Sequence, residues 1–199
     1  MFLGVTMPNI RKVARMHRGL SLEACRSILR SEIHEERMLA LVILVEQFKR
    51  AGDAERRAIY ALYGEERAHI NNWDLVDTSA PAIVGGYLES RSRKPLYSLA
   101  RSTRLWDRRV AMLATFYYIR QGDFTDAIDL AERLLGDAHD LMHKAVGWML
   151  REIGKRDQGV LEAFLNSHAQ TMPRTMLRYA IEKLPEAKRR AYLRGGDDA

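Results

Sequence analysis

The chain has 199 residues, 47% apolar and 29% charged, which excludes a disordered polar chain and suffices for one substantial domain or a short solenoid. Lys and Arg number 32 against 26 Asp and Glu, a net charge of +6, so the charge bears on partners only where it is concentrated. The single cysteine, Cys25, excludes an intramolecular disulfide, and neither a signal-like start nor an apolar run of about 18 residues occurs, so a soluble intracellular protein is expected.

Apolar residues recur close to every 3.6 positions almost throughout, and sustained alternation is missing. The expectation is therefore all-α, with helices near 8–17, 21–31, 34–51, 53–70, 72–89, 94–102, 105–121, 123–135, 139–155, 157–169, 173–184 and 185–193. Pro8, Pro173 and Pro185 suit first turns, Ser21 and Asp123 can cap, and Gly52, Gly122 and Gly136 end preceding runs. Gly85-Gly86 permits close helix packing or a bend. Leu39, Leu41, Val42, Leu44 and Val45 read as core.

Three segments place a basic residue before an apolar run: Arg37-Met-Leu-Ala-Leu-Val, Arg109-Val-Ala-Met-Leu-Ala and Lys144-Ala-Val-Gly-Trp-Met. The separations are 109 − 37 = 72, twice 36, and 144 − 109 = 35. Such a period marks stacked helix pairs of the HEAT or armadillo type, about six here, with an irregular all-α bundle as the competing architecture.

Charge is concentrated between residues 91 and 109, where Arg91, Arg93, Lys94, Arg101, Arg104, Arg108 and Arg109 face only Asp107, seven minus one giving +6. A polyanion fits this better than a small acidic substrate, although solvated helix faces can look alike. Trp73 and Asp77 are i,i+4, as are Lys144 and Trp148, with Arg151 three residues further, so each set shares a helix face. A carboxylate beside tryptophans can stabilise a cationic sugar: ionised Asp77 faces charge developing at C1′ and holds a water, the indole faces present negative quadrupole, and Arg109 fixes a phosphate. One carboxylate suffices if the leaving base already carries positive charge, as a purine alkylated at N3 or N7 does. The ordinary roles are a solvated or capping Asp77 and core-anchoring Trp73 and Trp148; Trp106 reads as core and Cys25 as a small buried residue. His139 and His143 have the i,i+4 spacing of a metal pair but lack a third ligand, so capping, packing or phosphate contact is expected instead, with no metal and no cofactor. There is no glycine-rich phosphate loop, cysteine pair or nucleophile elbow.

The segments Gly4-Val-Thr-Met-Pro-Asn-Ile-Arg11-Lys12, His34-Glu35-Glu36-Arg37, Trp73-Asp74-Leu75-Val76-Asp77, Leu105-Trp106-Asp107-Arg108-Arg109, Lys144-Ala-Val-Gly-Trp148-Met-Leu-Arg151-Glu152 and Met172-Pro173-Arg174 together resemble the bacterial AlkD-like alkylpurine DNA glycosylase family. The resemblance implies a C-shaped stack of HEAT-like repeats with a basic concave face, forming one domain over 1–199. It further implies excision of cationic N3- and N7-alkylpurines from duplex DNA by a monomer without obligate protein partner or membrane, in the bacterial cytoplasm at the nucleoid. By position, Asp77 is implied as the catalytic carboxylate, Trp73 and Trp148 as walls against the deoxyribose, and Arg109 as the basic partner. Arg37, Arg104, Arg108, Lys144, Arg151 and Arg174 are the expected DNA contacts. Only Met1-Phe2-Leu3 precedes the first motif, where the family is expected to carry another helix pair. The alternatives are a catalytically weak DNA-structure binder, which needs only a basic groove, and a HEAT-type protein scaffold, which needs an exposed apolar patch.

Overall fold

The computed structural model describes residues 1–194, which contain helices and no strand. In chain order these are α1 (Met7–Met16), α2 (Leu22–Leu29), α3 (His34–Arg50), α4 (Asp53–Glu65), α5 (Trp73–Ala80), α6 (Gly86–Leu88), α7 (Lys94–Ala100), α8 (Leu105–Ala114), α9 (Phe116–Ile119), α10 (Thr125–Arg133), α11 (Asp140–Gly154), α12 (Gln158–His168), α13 (Arg174–Ala180) and α14 (Glu186–Arg194). They form two compact units, one over Met1–Arg93 and one beginning at Lys94.

Each unit is built around one helix. In the first, α3 carries a run from Ala40 to Val45 that is buried on every side, and a helix apolar all round must be enclosed. It is covered by α1, α2 and α5. In the second, α11 is enclosed by α8, α12 and α13. α11 lies close to α13 at Gly147, where a Cβ would meet the Met176 carbonyl oxygen at 2.5 Å and the Tyr179 Cβ at 2.6 Å. Only glycine lets α11 and α13 lie this near.

Alternate helices begin at 34, 73, 105, 140 and 174, at intervals of 39, 32, 35 and 34 residues, and within each unit they pack in sequence, α1 on α3 and α3 on α5, then α8 on α11 and α11 on α13. Three of them share one entry motif. Three residues before the helix, Ser31, Ser102 and Asp137 each accept the N–H two positions on, at 3.0, 3.1 and 2.9 Å. Six residues after that, Arg37, Arg108 and His143 turn back onto the same residue's carbonyl, at 2.8, 3.0 and 2.5 Å. This fixes the repeat register at 108 − 37 = 71 and 143 − 108 = 35. The alignment of Arg109 with Lys144 is in that register; that of Arg37 with Arg109 is out by one, because Arg37 is the counterpart of Arg108.

Several expected helices are interrupted. Between α8 and α9, the buried Thr115 hydroxyl donates to the Met112 carbonyl at 2.6 Å, competing with the backbone ladder and bending the chain. The stretch after α4 tightens into a 3-10 turn over Arg67–His69, and Glu66, whose side chain is 3% exposed, turns inward to Arg26 and Arg30, both at 2.6 Å. The N-terminal segment is pinned to α3: buried Glu35 accepts N–H groups of Leu3 at 2.9 Å and Gly4 at 2.7 Å, and Gly4 takes φ +76°. Those donors, Leu3 foremost, hold the Glu35 carboxyl below its ordinary range. No helix of the described residues is long and apolar enough to cross a membrane.

Candidate functional site

In the first unit the candidate residues lie on α5. Asn72 starts this helix by accepting the Trp73 N–H at 2.7 Å. That places Trp73 at its first position, where the indole is 52% exposed. Asp74 accepts the Leu75 N–H at 2.8 Å with one oxygen and holds the buried His34 Nε2 at 2.7 Å with the other, joining the first turns of α5 and α3. One turn past Trp73 stands Asp77, half-buried.

The chain just beyond Asp77 is unusual. Pro81 has no N–H, so the carbonyl four residues back, that of Asp77, loses its α-helical donor. The backbone answers with a wider π-type turn over Pro81–Gly85 before α6 resumes the helix. Turns of this kind inside helices concentrate at functional sites. Ser79, buried, steadies the segment by donating to the Leu75 carbonyl at 2.6 Å and meeting the Tyr63 hydroxyl at 3.1 Å.

In the second unit the structure brings Arg109, Lys144, Trp148 and Arg151 onto α8 and α11, which pack together. Arg109 is 4% exposed, its Nη1 donating to the Leu141 carbonyl at 2.5 Å. Lys144 lies near enough to feel its like charge, yet Asp140, at 2.7 Å, raises the ammonium pKa on balance. Two cations thus meet at the N-terminal end of α11, an arrangement suited to an anion. Trp148 donates its indole N–H to Glu152 Oε1 at 3.3 Å, and its ring lies tilted against Phe116 with centroids 5.7 Å apart. Burial raises the Glu152 pKa, but Lys155 and Arg156 outweigh it and the carboxyl stays below its usual range. Arg151 pairs with Glu182 and lies over Tyr179, 6.0 Å from the ring centre.

The remaining basic residues divide. Arg37 and Arg108 hold the entry motifs, and Arg108 also clamps the nearly buried Asp137 at 2.5 Å. Arg104 stays near the surface, 3.9 Å from Asp107. Arg174 donates both Nη groups to the Leu193 carbonyl at 3.1 Å, closing the end of α14. In the 91–109 cluster, Arg91 pairs with Asp53, Arg108 with Asp137, and Arg109 is interior, so solution sees less charge than the count of +6 implies. The histidines cap: His139 Nδ1 accepts the Leu141 N–H at 3.2 Å, and His143 holds the Asp137 carbonyl. Among the described residues no cluster of three metal-ligating side chains occurs. Sequence reasoning passed over the His34–Asp74 link, whose partners lie 40 residues apart, and the placement of Pro81 four residues after Asp77, which was legible.

Among solved structures, the fold is similar to a predicted DNA alkylation repair enzyme from Enterococcus faecalis, with TM-score 0.71 at 16% identity over 94% of this chain and 89% of the other. It is also similar to AlkD2 from Streptococcus mutans, with TM-score 0.65 at 17% identity over 92% of each. At these identities the likeness speaks for a shared, HEAT-like fold. No curated protein sequence matches the chain significantly. The family of DNA alkylation repair enzymes matches residues 1–184, nearly all of the helical chain described above, and the protein belongs to that family.

Proposed function

We propose that the protein is a monofunctional DNA glycosylase that hydrolyses the N-glycosidic bond of cationic N3- and N7-alkylpurines in duplex DNA. The observation that carries this reading is the pairing on α5 of an indole 52% exposed with a carboxylate one turn away, at the point where Pro81 opens the helix. A tryptophan this exposed contributes little to the core, so its place is at a surface that receives a partner. Asp77, ionised, stabilises the positive charge developing at C1′ and orients the attacking water. Trp73 lies against the deoxyribose and thins the water around that charge, which strengthens the electrostatic term. In the second unit, Trp148 and Lys144 are assigned to DNA, the indole at sugar and the ammonium at phosphate, while Arg109, interior and bonded to the Leu141 carbonyl, braces α11 beneath them.

The lesion supplies the rest of the chemistry. An alkylpurine cation departs as a neutral base, so the bond breaks without a proton donor, and the electrons of the C1′–N bond leave with the base. Water then adds to C1′ and loses its proton, giving an abasic sugar. The test is incubation of the pure protein with a duplex carrying a single N7-methylguanine and chromatography of the released base. Release above the spontaneous rate, abolished with Asp77→Asn, is expected. Binding without release would instead identify a catalytically weak DNA-structure binder.

A further inference from the structure

The longest acid-free stretch of the chain lies at its start and carries none of the site residues discussed above. Residues 1–22 contain Arg11, Lys12, Arg15 and Arg18 and no Asp or Glu, four minus zero giving +4. All four side chains are exposed. α1 buries only Ile10 and Ala14, an i,i+4 pair facing α3, so Arg11, Lys12 and Arg15 occupy its outward side. None of the four makes a hydrogen bond or ion pair through its side chain to a carboxylate among the described residues; Arg15 is near enough to Glu46 only to lower that carboxyl's pKa, behind Lys49 and Arg50. The turn holding Arg18 is fixed, because Gln47 Nε2 donates to the Arg18 and Leu20 carbonyls at 2.9 and 2.7 Å.

This contrasts with residues 91–109, where Arg91, Arg108 and Arg109 are engaged internally. Four like charges held on an ordered surface, with only Glu46 near enough to Arg15 to offset them, repel one another and gain little for the fold. Their arrangement makes sense against a polyanion. Position decides which one: α1 packs on α3 and α3 on α5, so α1 belongs to the same row of helices as Trp73 and Asp77.

We propose that α1 is a phosphate-binding surface for the DNA backbone, with Arg11, Lys12 and Arg15 contacting the duplex away from the lesion. This rests on the DNA-directed reading above. Contacts of this kind add affinity for any duplex and carry no lesion information.

The test is a triple variant, Arg11→Gln, Lys12→Gln and Arg15→Gln. All three positions are exposed, so the variant folds, which circular dichroism checks. Binding to an undamaged duplex is titrated across salt concentrations, beside a control that removes the same charge elsewhere through Arg57→Gln, Lys183→Gln and Arg190→Gln. The α1 variant should lose about 3 units of salt slope, about 0.9 per contact, and bind about 10–100-fold more weakly near 0.15 M salt. The control should change far less, and single-turnover release of N7-methylguanine at saturating α1 variant should keep the wild-type rate. Equal losses in both variants, or none in either, overturn the proposal. Failure of the wild-type protein to bind duplex DNA would overturn the DNA reading itself, a separate result visible before any variant is made.

Discussion

Asp77 combines two properties that rarely coincide, a carboxylate on an ordered helix and a backbone carbonyl without its α-helical donor. The side chain is therefore held by a regular turn on one side and a widened one on the other. Replacing it with Asn preserves shape and removes charge. Asp77→Asn should leave duplex affinity near wild type and slow single-turnover release by about 10²–10³, the effect of losing about 2.7–4 kcal/mol of preorganised stabilisation; near-wild-type release would remove Asp77 from the mechanism. Glu66 offers a parallel test of stability. Its carboxyl is held below the ordinary range first by Arg30, against the opposing effect of burial, with Arg26 adding to Arg30. A lowered carboxyl pKa contributes stability that is fully present above the unfolded value, about 4.3, and lost as pH falls through the folded value. Because Arg30 is half exposed and keeps its hydration, Glu66→Gln should cost about 2 kcal/mol at pH 7, less than for a fully buried pair. Urea midpoints of the two proteins should differ at pH 7 and converge as pH falls through the folded value of Glu66.

Helices were legible wherever local chemistry set their limits. Ser21 does cap α2, accepting the Ala24 N–H at 3.1 Å, Pro8 sits in the first turn of α1, and Gly122 takes φ +82° in the turn after α9. The breaks at Thr115 and after Glu65 were not legible, because each depends on where a side chain turns once its neighbours are in place. The register of the repeat was half legible for a related reason. Basic residues before apolar runs recur by composition, whereas the entry motif joins a side-chain acceptor to the N–H two residues on and its backbone carbonyl to a side-chain donor six residues on, and Ser31, Ser102 and Asp137 differ enough to hide it. For the candidate site, the spacing of Trp73 and Asp77 was open to inspection, but the interior placement of Arg109 was not, since burial is a property of packing. Gly147 belongs to the same class. Gly147→Ala drives a methyl group against the Met176 carbonyl oxygen, which is backbone and cannot swing aside. α11 and α13 must separate, at about 1–3 kcal/mol, and the melting temperature should fall by about 2–4 °C for each kcal/mol. An unchanged melting curve would show that the two helices are less tightly apposed.

At the scale of the molecule, charge and chemistry separate. In the proposed reading, cations that bind phosphate set how strongly any duplex is held, while one carboxylate and its neighbouring indole act only where a base can leave unaided. Substrate range follows from that division. The proposed scheme uses no general acid, so duplexes carrying N7-methylguanine should lose the base, whereas matched duplexes carrying uracil or 8-oxoguanine should be bound equally and remain intact. Efficient uracil release would require a proton donor and would contradict the single-carboxylate scheme. Raising the salt concentration should weaken binding to all three duplexes alike, since the phosphates are common to them.

The lone cysteine has a practical consequence. Cys25 lies wholly inside the first unit, and burial pushes its thiol pKa up to about 11, so at neutral pH it offers reagents almost no thiolate and no path of approach. The native chain is thereby already a silent background for site-specific labelling. A cysteine introduced at an exposed position such as Ser98 would take a maleimide dye alone, and distances or mobilities during DNA engagement become measurable without first deleting any natural thiol.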